Sequence, residues 1–313
     1  MSLKPTVTMI KVEGLTKKFG ALLAVDNVSF EIKEGEVFGF LGPNGAGKTT
    51  TIRMITTLIS KTGGKVSVGG LDTDEPKNRP RIRKMIGLLP ENPGLYDKLS
   101  VYRNLEFFAD LYGVSPADKK ERIERYLKML GLWERRNDTV GGFSKGMRQK
   151  IALIRAVLHD PKYLFLDEPT SGLDPEASRT VRDLILELKK KDRIIFLNTH
   201  NLDEASRICD RVGIINQKLL AVDSPDRLES RLYGSGTEIE LQSVTGMKSV
   251  AERVKGVRKA IAKDNKLLLD CDPGAVPDVV RALVKNGAEI MSVEQTKHSL
   301  EDVYFKLLKK EDK

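Results

Sequence analysis

The 313-residue sequence predicts an α/β protein with a parallel central sheet, followed by a small α+β module. Short apolar runs rich in β-branched residues alternate with stretches of helical periodicity, which is typical of βαβ units. A glycine-rich turn between one apolar run and the next helix supports the same fold class. Small residues at Tyr233-Gly234-Ser235-Gly236 indicate a linker, so we predict domains at 1–233 and 234–313.

Composition excludes several classes of protein. Hydrophobic residues make up 40% of the chain, which is enough for a packed core and argues against disorder. Apolar stretches such as Val37–Leu41 are far shorter than the roughly 20 residues that cross a bilayer. The first residues contain no apolar segment of a secretory signal, and the two cysteines, Cys209 and Cys271, lack metal-ligand spacing. We therefore expect a soluble, cytoplasmic protein.

The net charge of +9 leaves two interpretations open: contact with nucleic acid or an anionic membrane, or solvated helix faces. Basic residues alternate with acids, as in the stretch 121–125, and this mixing favours the second interpretation.

The elements of the first domain follow from local patterns. Lys33–Glu36 predicts a tight hairpin, and the paired glycines at 63–64 predict the end of a helix. Helical spacing between about 91 and 145 predicts a helical insertion. The predicted strands are Ile10–Leu15, Val28–Ile32, Glu36–Leu41, Lys65–Val68, Ile86–Leu89, Tyr163–Leu166, Ile194–Leu197 and Val212–Ile215. The other predicted helices are Lys48–Ile59, one ending at His159, Pro175–Lys191 and Leu202–Ile208.

The tail after the linker has the predicted order βαββαβ plus a final helix. This order is typical of a ferredoxin-like module. The predicted elements are Thr237–Leu241, Met247–Val254, Val257–Ala262, Lys266–Asp270, Ala275–Asn286, Ala288–Val293 and Leu300–Lys309.

The segment Gly42–Thr49 fits the P-loop pattern G-x4-G-K-[ST] at every fixed position. Glycines let backbone N–H groups curl around phosphate oxygens, and the following helix adds partial positive charge. Lys48 would neutralise the β- and γ-phosphates, and the Thr49 hydroxyl would bind Mg²⁺. The segment predicts binding of a nucleoside triphosphate.

Two carboxylates end the apolar run Tyr163–Leu166. Successive side chains of a strand point to opposite faces, so Asp167 and Glu168 need not share a role. Asp167 suits the Mg²⁺ shell, and Glu168 suits a general base that polarises the attacking water. The alternative is an acid that caps a turn before Pro169.

A second candidate phosphate-binding segment lies at 142–149. Ser144 is a good N-cap for the next helix, and Gly146 leaves free backbone N–H groups at that helix start. An anion site and ordinary capping both fit this pattern.

Together these motifs resemble the ATP-binding subunits of ABC transporters. The motifs occur in the same order as in that family. They are the P-loop, the signature Phe143–Met147, the Walker-B run Tyr163–Glu168, a D-loop at Ser171–Asp174 and a switch histidine in Asn198–His200. The resemblance covers roughly residues 10–232. It implies a P-loop NTPase (RecA-like) fold with an antiparallel β subdomain and a helical subdomain. Within the family, the chain is most similar to the ATPase subunits of ABC-2 type exporters, which carry drugs, lipids or polysaccharides outward. The segments that carry this similarity are Val28–Phe30, Gly42–Thr50 and Ser299–Tyr304.

The resemblance implies an ATPase site with ATP and Mg²⁺. Glu168, His200 and Lys48 would be catalytic, and Thr49, Asp167 and Glu91 would hold the metal. Phe19 would stack on adenine, although a core phenylalanine is the alternative. The remaining nucleotide contacts would be Gly42, Pro43, Asn44, Gly45, Ala46, Gly47, Lys48, Thr49 and Thr50, with Ser144, Lys145, Gly146, Met147 and Asp174 acting across a dimer seam.

Four positions depart from the family pattern, one of them the conservative replacement of leucine by Phe143. Glu91 stands where many relatives have glutamine, so it either ligates the metal more strongly or turns away. Lys145 and Met147 replace the commoner glycine and glutamine, and Lys145 either adds charge near the partner's nucleotide or faces solvent.

The implied partners are a second copy of the chain and a separate integral membrane permease, which docks near Leu95–Phe108 at the cytoplasmic face of the membrane. No nucleic acid is expected. Two alternatives are a non-transport ABC ATPase acting on ribosomes or nucleic acid, and an ATP-dependent assembly factor such as an iron–sulfur scaffold ATPase. The transported substrate does not follow from this sequence.

Overall fold

A computed structural model of the chain describes residues 9–92, 94–190, 192–233, 236–295 and 299–311. The chain forms two compact units, Met1–Ser224 and Pro225–Lys313. Gly234 and Ser235 of the predicted linker lie outside the described residues. The helix Pro225–Tyr233, which ends at the predicted boundary, belongs to the second unit.

The first unit contains ten strands and seven α-helices among its described residues. In chain order they are β1 (Met9–Phe19), β2 (Leu22–Lys33), β3 (Val37–Leu41), α1 (Lys48–Ile55), β4 (Gly63–Val68), β5 (Leu71–Asp72), α2 (Arg79–Met85), β6 (Ile86–Leu89), α3 (Val101–Leu111), α4 (Pro116–Met129), α5 (Lys145–Val157), β7 (Tyr163–Asp167), α6 (Pro175–Lys189), β8 (Ile194–Asn198), α7 (Leu202–Ile208), β9 (Arg211–Asn216) and β10 (Lys218–Asp223).

The central sheet has the strand order β10-β9-β3-β8-β7-β6. All neighbours are parallel except β10 and β9. Every residue of β3, β7 and β8 is buried, as expected for strands covered on both faces. Because these three strands are adjacent and parallel, the residues that follow them meet at one edge of the sheet.

A second, antiparallel sheet of order β2-β1-β4-β5 packs on the central one. Phe30 of β2 stacks on Phe38 of β3 at 5.3 Å between ring centroids and also contacts Phe40 and Phe196. The hairpin predicted at Lys33–Glu36 is wrong, since β2 and β3 lie in different sheets. The turn still closes locally, with the Glu36 N–H donating to the Lys33 carbonyl at 3.2 Å.

The predicted helical insertion corresponds to α3, α4 and two short 3-10 turns. Ser100 and Ser115 cap the two helices by accepting the N–H groups of Arg103 and Asp118, each at 3.2 Å. Within the described part of the chain, no helix combines the length and apolarity that a membrane crossing requires.

The second unit begins with α8 (Pro225–Tyr233) and continues as β11 (Gly236–Leu241), α9 (Met247–Glu252), β12 (Val257–Lys263), β13 (Lys266–Cys271), α10 (Val276–Lys285), β14 (Ile290–Gln295) and α11 (Leu300–Glu311). Its sheet has the order β12-β13-β11-β14, and every pairing is antiparallel. This order confirms the ferredoxin-like prediction.

Other differences from the predictions have local causes. Helix α1 ends at Ile55 rather than Ile59, because Thr57 adopts a left-handed φ of 60°. The glycines at 63–64 therefore begin β4 instead of ending the helix. The short elements β5, α2, β10 and α8 were absent from the sequence-based prediction.

The buried His159 gives the first unit a predicted pH dependence. Its Nε2 lies 3.0 Å from the Ile86 carbonyl oxygen and its ring stacks on Tyr112 at 3.8 Å, while burial lowers its pKa from 6.5 to about 4. The unfolded chain therefore binds more protons between these values, so the free energy of unfolding falls as pH drops through them. The effect is about 1.4 kcal/mol for each unit of pKa difference.

His159→Phe keeps the stacking but cannot titrate, so it should lose less stability than the wild type between about pH 7 and about pH 5. The free energy of unfolding at each pH is measured by urea titration, with unfolding monitored through the fluorescence of Trp133, the one tryptophan of the sequence. Equal losses in both proteins would contradict the assignment to His159.

Candidate active site

The P-loop connects β3 to α1, and two of its positions require glycine. A Cβ at Gly42 would lie 2.2 Å from the Ile215 carbonyl oxygen, and one at Gly47 would lie 2.4 Å from the Ala24 carbonyl oxygen. Gly47 also has a φ of 94° immediately before the helix. The loop is thus held close against neighbouring backbone, with its N–H groups available at the start of α1.

Lys48 fills the interior of this loop. Its Nζ donates to the carbonyl oxygens of Gly42 at 2.7 Å and Pro43 at 3.0 Å. Burial lowers the pKa of Lys48, and the charges of Glu168 and Asp167 oppose that shift. The ammonium group therefore lies where the P-loop backbone and two carboxylates converge.

Asp167 joins the ends of three structural elements. Its Oδ2 accepts from the Thr49 hydroxyl at 3.1 Å, and its Oδ1 accepts from the Asn198 amide. Burial raises the pKa of this carboxyl, while the two hydrogen bonds lower it. The hydroxyl and carboxylate oxygens are hard ligands that suit Mg²⁺, so the donor set fits the expected metal.

Glu168 and His200 form a second pair at the same sheet edge. The Glu168 Oε1 accepts from the His200 backbone N–H at 3.0 Å and lies 2.8 Å from His200 Nδ1. Glu168 has a φ of 52°, a left-handed conformation that is uncommon for a residue with a side chain. The two neighbouring acids therefore have different partners: Asp167 contacts Thr49, whereas Glu168 contacts His200.

The signature segment lies at the start of α5. The Ser144 Oγ accepts the Met147 N–H at 3.3 Å, which leaves its own proton free to donate. A Cβ at Gly146 would lie 3.0 Å from Leu173 Cδ2 and 3.2 Å from the Gly172 carbonyl oxygen. The stem of Lys145 also lies beside Gly172. The signature therefore packs against the D-loop of its own chain.

The structure brings some of the predicted residues together and leaves others apart. Among the described residues, no hydrogen bond or ion pair joins the signature 144–147 to the P-loop. Phe19 is 48% exposed beneath the Lys17 ammonium, so it is not a core residue. Glu91 is exposed, and its charge is one of the minor causes that raise the pKa of Asp167. Asp174 caps α6 by accepting the Ala177 N–H at 2.7 Å.

Sequence reasoning assigned no role to two polar residues that support the site. Gln149 is buried in α5, and its Nε2 donates to the Glu168 carbonyl oxygen at 2.9 Å. Asn198 ends β8 and holds Asp167. The available signal was a polar residue at a position that helical or strand periodicity assigns to the core.

This geometry is that of a P-loop nucleoside triphosphatase: a glycine-rich loop folded around its lysine, a hydroxyl–carboxylate pair at Thr49 and Asp167, and the neighbouring Glu168 beside His200. The ABC transporter family model matches residues 25–171.

Two curated bacterial proteins resemble nearly the whole chain. The bacitracin transport ATP-binding protein BcrA of Bacillus licheniformis is 36% identical over 304 residues, covering 96% of this chain and 97% of that protein. The linearmycin resistance ATP-binding protein LnrL of Bacillus subtilis is 32% identical over 308 residues, covering 96% of this chain and 98% of that protein. Among solved structures, a dimeric ATP-binding cassette in a post-hydrolysis state with ADP and phosphate matches with a TM-score of 0.63 and 26% identity, covering 69% of this chain and 98% of the other. The chain belongs to the ABC transporter family and is an ATP-binding, ATP-hydrolysing subunit.

Proposed function

We propose that this chain energises export through a separate membrane permease, working as an ATP-sandwiched dimer. The contacts among Thr49, Asp167, Glu168 and His200 support the hydrolytic part of this proposal. The transport and resistance roles in the names of the relatives support export, and they favour it over action on ribosomes or nucleic acid.

Each residue near the P-loop has a distinct task in the proposed mechanism. The P-loop N–H groups and Lys48 bind the phosphates and stabilise the charge that spreads over the transferred group. Thr49 and Asp167 would hold Mg²⁺, which supplies further charge neutralisation when bound. Glu168 accepts a proton from the attacking water. His200 is hydrogen-bonded to Glu168, contacts the γ-phosphate and helps to orient that water.

The second half of the site would come from the partner copy. Ser144 and the N–H groups around Gly146 lie at the start of a helix, where partial positive charge favours an anion. Within the described part of one chain, this segment makes no hydrogen bond to the P-loop. A second copy would place its signature on the γ-phosphate, so that each dimer has two shared sites.

An exposed aromatic patch is the proposed permease contact. Tyr96 is 49% exposed, Phe107 40% and Leu111 65%, and the rings of Tyr96 and Phe107 lie 5.2 Å apart. Exposed apolar side chains that cluster in this way mark surfaces for a protein partner. The patch also includes Leu99 and lies in the predicted docking segment and the last turn of α3, which begins inside that segment.

Affinity purification of the tagged full chain from solubilised membranes of its own organism tests this proposal. We expect an integral membrane protein with several spans to co-elute with the wild type and to be lost from Phe107→Glu. Phe305→Glu is the matched control, since Phe305 is a similarly exposed phenylalanine of the second unit. Retention of the membrane protein by Phe107→Glu would contradict the docking surface, and its absence from the wild type would contradict the transport assignment.

Glu91 is proposed as a third metal ligand, which gives a separate prediction. Its exposed carboxylate is close enough for its charge to act on Asp167. Glu91→Gln should raise the Mg²⁺ concentration for half-maximal ATP hydrolysis by about tenfold, because a neutral amide is a weaker ligand for a hard cation. Titration with Mg²⁺ at fixed total ATP measures this. An unchanged half-maximal concentration would show that Glu91 is turned away from the metal.

A further inference from the structure

The carboxylate of Glu204, in the first turn of α7, is buried between two loops of the active site. Glu204 is only 2% exposed. The Oε2 atom accepts hydrogen bonds from the Thr170 hydroxyl at 2.9 Å and from the Thr199 hydroxyl at 3.3 Å. One carboxylate oxygen therefore bridges the segment after β7 and the segment after β8.

Helix capping explains only the local part of this arrangement. The Asn201 Oδ1 accepts the Glu204 N–H at 2.9 Å, and the Thr199 Oγ accepts the Asn201 N–H at 3.0 Å. These contacts stabilise the start of α7. An acid that serves a helix start alone can remain in solvent, as Asp203 of the same turn does with a side chain 87% exposed. Capping also requires no bond to Thr170, which lies 34 residues earlier.

The burial of Glu204 opposes its charge. Burial raises the pKa of this carboxyl, while the hydrogen bonds from Thr170 and Thr199 lower it. The other oxygen, Oε1, is buried without a hydrogen-bond partner among the described residues. Burying a carboxylate without satisfying both of its oxygens lowers the free energy of unfolding. Stabilisation of α7 therefore does not explain why Glu204 is buried.

Both hydroxyls that Glu204 holds belong to residues beside the proposed catalytic pair. Thr199 directly precedes His200, and Thr170 follows Glu168 by two positions and begins the turn into the D-loop. The Leu173 N–H donates to the Thr170 carbonyl at 3.1 Å, and the Ser171 N–H donates to the Glu168 carbonyl at 3.2 Å. The position of Thr170 is thus linked to both the catalytic glutamate and the D-loop.

We propose that Glu204 is a positioning residue that fixes the distance between Glu168 and His200 and ties both to the D-loop. The inference rests on the proposed function, in which Glu168 and His200 act on the γ-phosphate and the D-loop lies at the dimer seam. Glu204 does not touch the nucleotide. It holds Thr199 and Thr170 so that the His200 N–H and ring meet the Glu168 carboxylate.

Steady-state hydrolysis by the full chain tests this role. Glu204→Gln should lower kcat by about tenfold with KM for MgATP within about twofold, the range that supporting partners of active-site groups show. Thr170→Val removes one bond and leaves the start of α7 intact, so it should lower kcat by about threefold. Asp203→Asn is the matched control, because it removes an exposed acid from the same turn, and its kcat should stay within about twofold.

A double-mutant cycle separates positioning from simple stabilisation of the fold. In a His200→Ala background, Glu204→Gln and Thr170→Val should lose most of their effect on kcat, because the group they position is gone. The inference is overturned if Glu204→Gln and Thr170→Val keep wild-type kcat, or if either loses the same factor with and without His200. Should Glu204→Gln fail to fold, Thr170→Val alone decides through the same cycle.

The failure of this inference differs from failure of the proposed function. If the wild-type chain hydrolyses MgATP and His200→Ala is impaired while both positioning variants are normal, only the inference fails. If the wild type does not hydrolyse MgATP, the proposed function itself fails.

Discussion

Glu168→Gln should bind ATP with near wild-type affinity and hydrolyse it at least about 100-fold more slowly, because a general base contributes about this factor or more. The amide preserves the shape of the side chain but cannot accept the proton of the attacking water. Since ATP is then bound but not cleaved, the variant should also accumulate as a dimer. Phosphate release measures turnover, and a fluorescent ATP analogue measures binding.

Glu176→Gln serves as the control for loss of a nearby acid, since Glu176 is exposed in the first turn of α6 and has no proposed role in the site. Helix α6 should persist, and turnover should change far less than in Glu168→Gln. Turnover by Glu168→Gln at the wild-type rate would contradict the role of Glu168 as general base.

Lys48→Ala should lose ATP affinity by about tenfold to 100-fold. Hydrogen bonds to charged groups contribute about 1.5–3 kcal/mol each, and about 1.4 kcal/mol corresponds to a factor of ten in affinity. The fold should persist, because the hydrogen bonds lost among the described residues are those of Nζ to the carbonyl oxygens of Gly42 and Pro43. Equilibrium dialysis with MgATP measures the change.

Lys162→Ala is the control for loss of a lysine, since Lys162 is exposed before β7. ATP affinity of Lys48→Ala equal to that of Lys162→Ala would contradict the placement of phosphates against Lys48.

Much of the first unit could be predicted from sequence because its signals are local. The apolar run of β3 followed by Gly42–Thr49 predicts a strand, a phosphate loop and a helix, and the structure confirms that order. The acids at 167–168 were predicted to follow a buried strand; Asp167 is its last residue, and the structure places both acids at the same sheet edge as the P-loop. The helix Leu202–Ile208 was predicted with its observed bounds.

The parts that could not be predicted depend on contacts between distant segments. Nothing near Lys33–Glu36 shows that β2 and β3 enter different sheets, because the Phe30–Phe38 stacking that joins the two sheets is a tertiary contact. The support of Glu168 by Gln149 and of Thr170 by Glu204 joins segments that are far apart in sequence. The short strands β5 and β10 likewise gain stability from their neighbours rather than from their own pattern.

The most direct test of shared active sites is to mix two inactive full-length variants. Lys48→Ala disables the P-loop of its own chain, and Ser144→Arg disables the signature that the chain offers to a partner. In a mixed dimer one site combines both defects, while the other pairs an intact P-loop with an intact signature. We therefore expect the mixture to hydrolyse MgATP faster than either variant alone. A mixture that stays as inactive as its two components would contradict a site built from two copies of the chain.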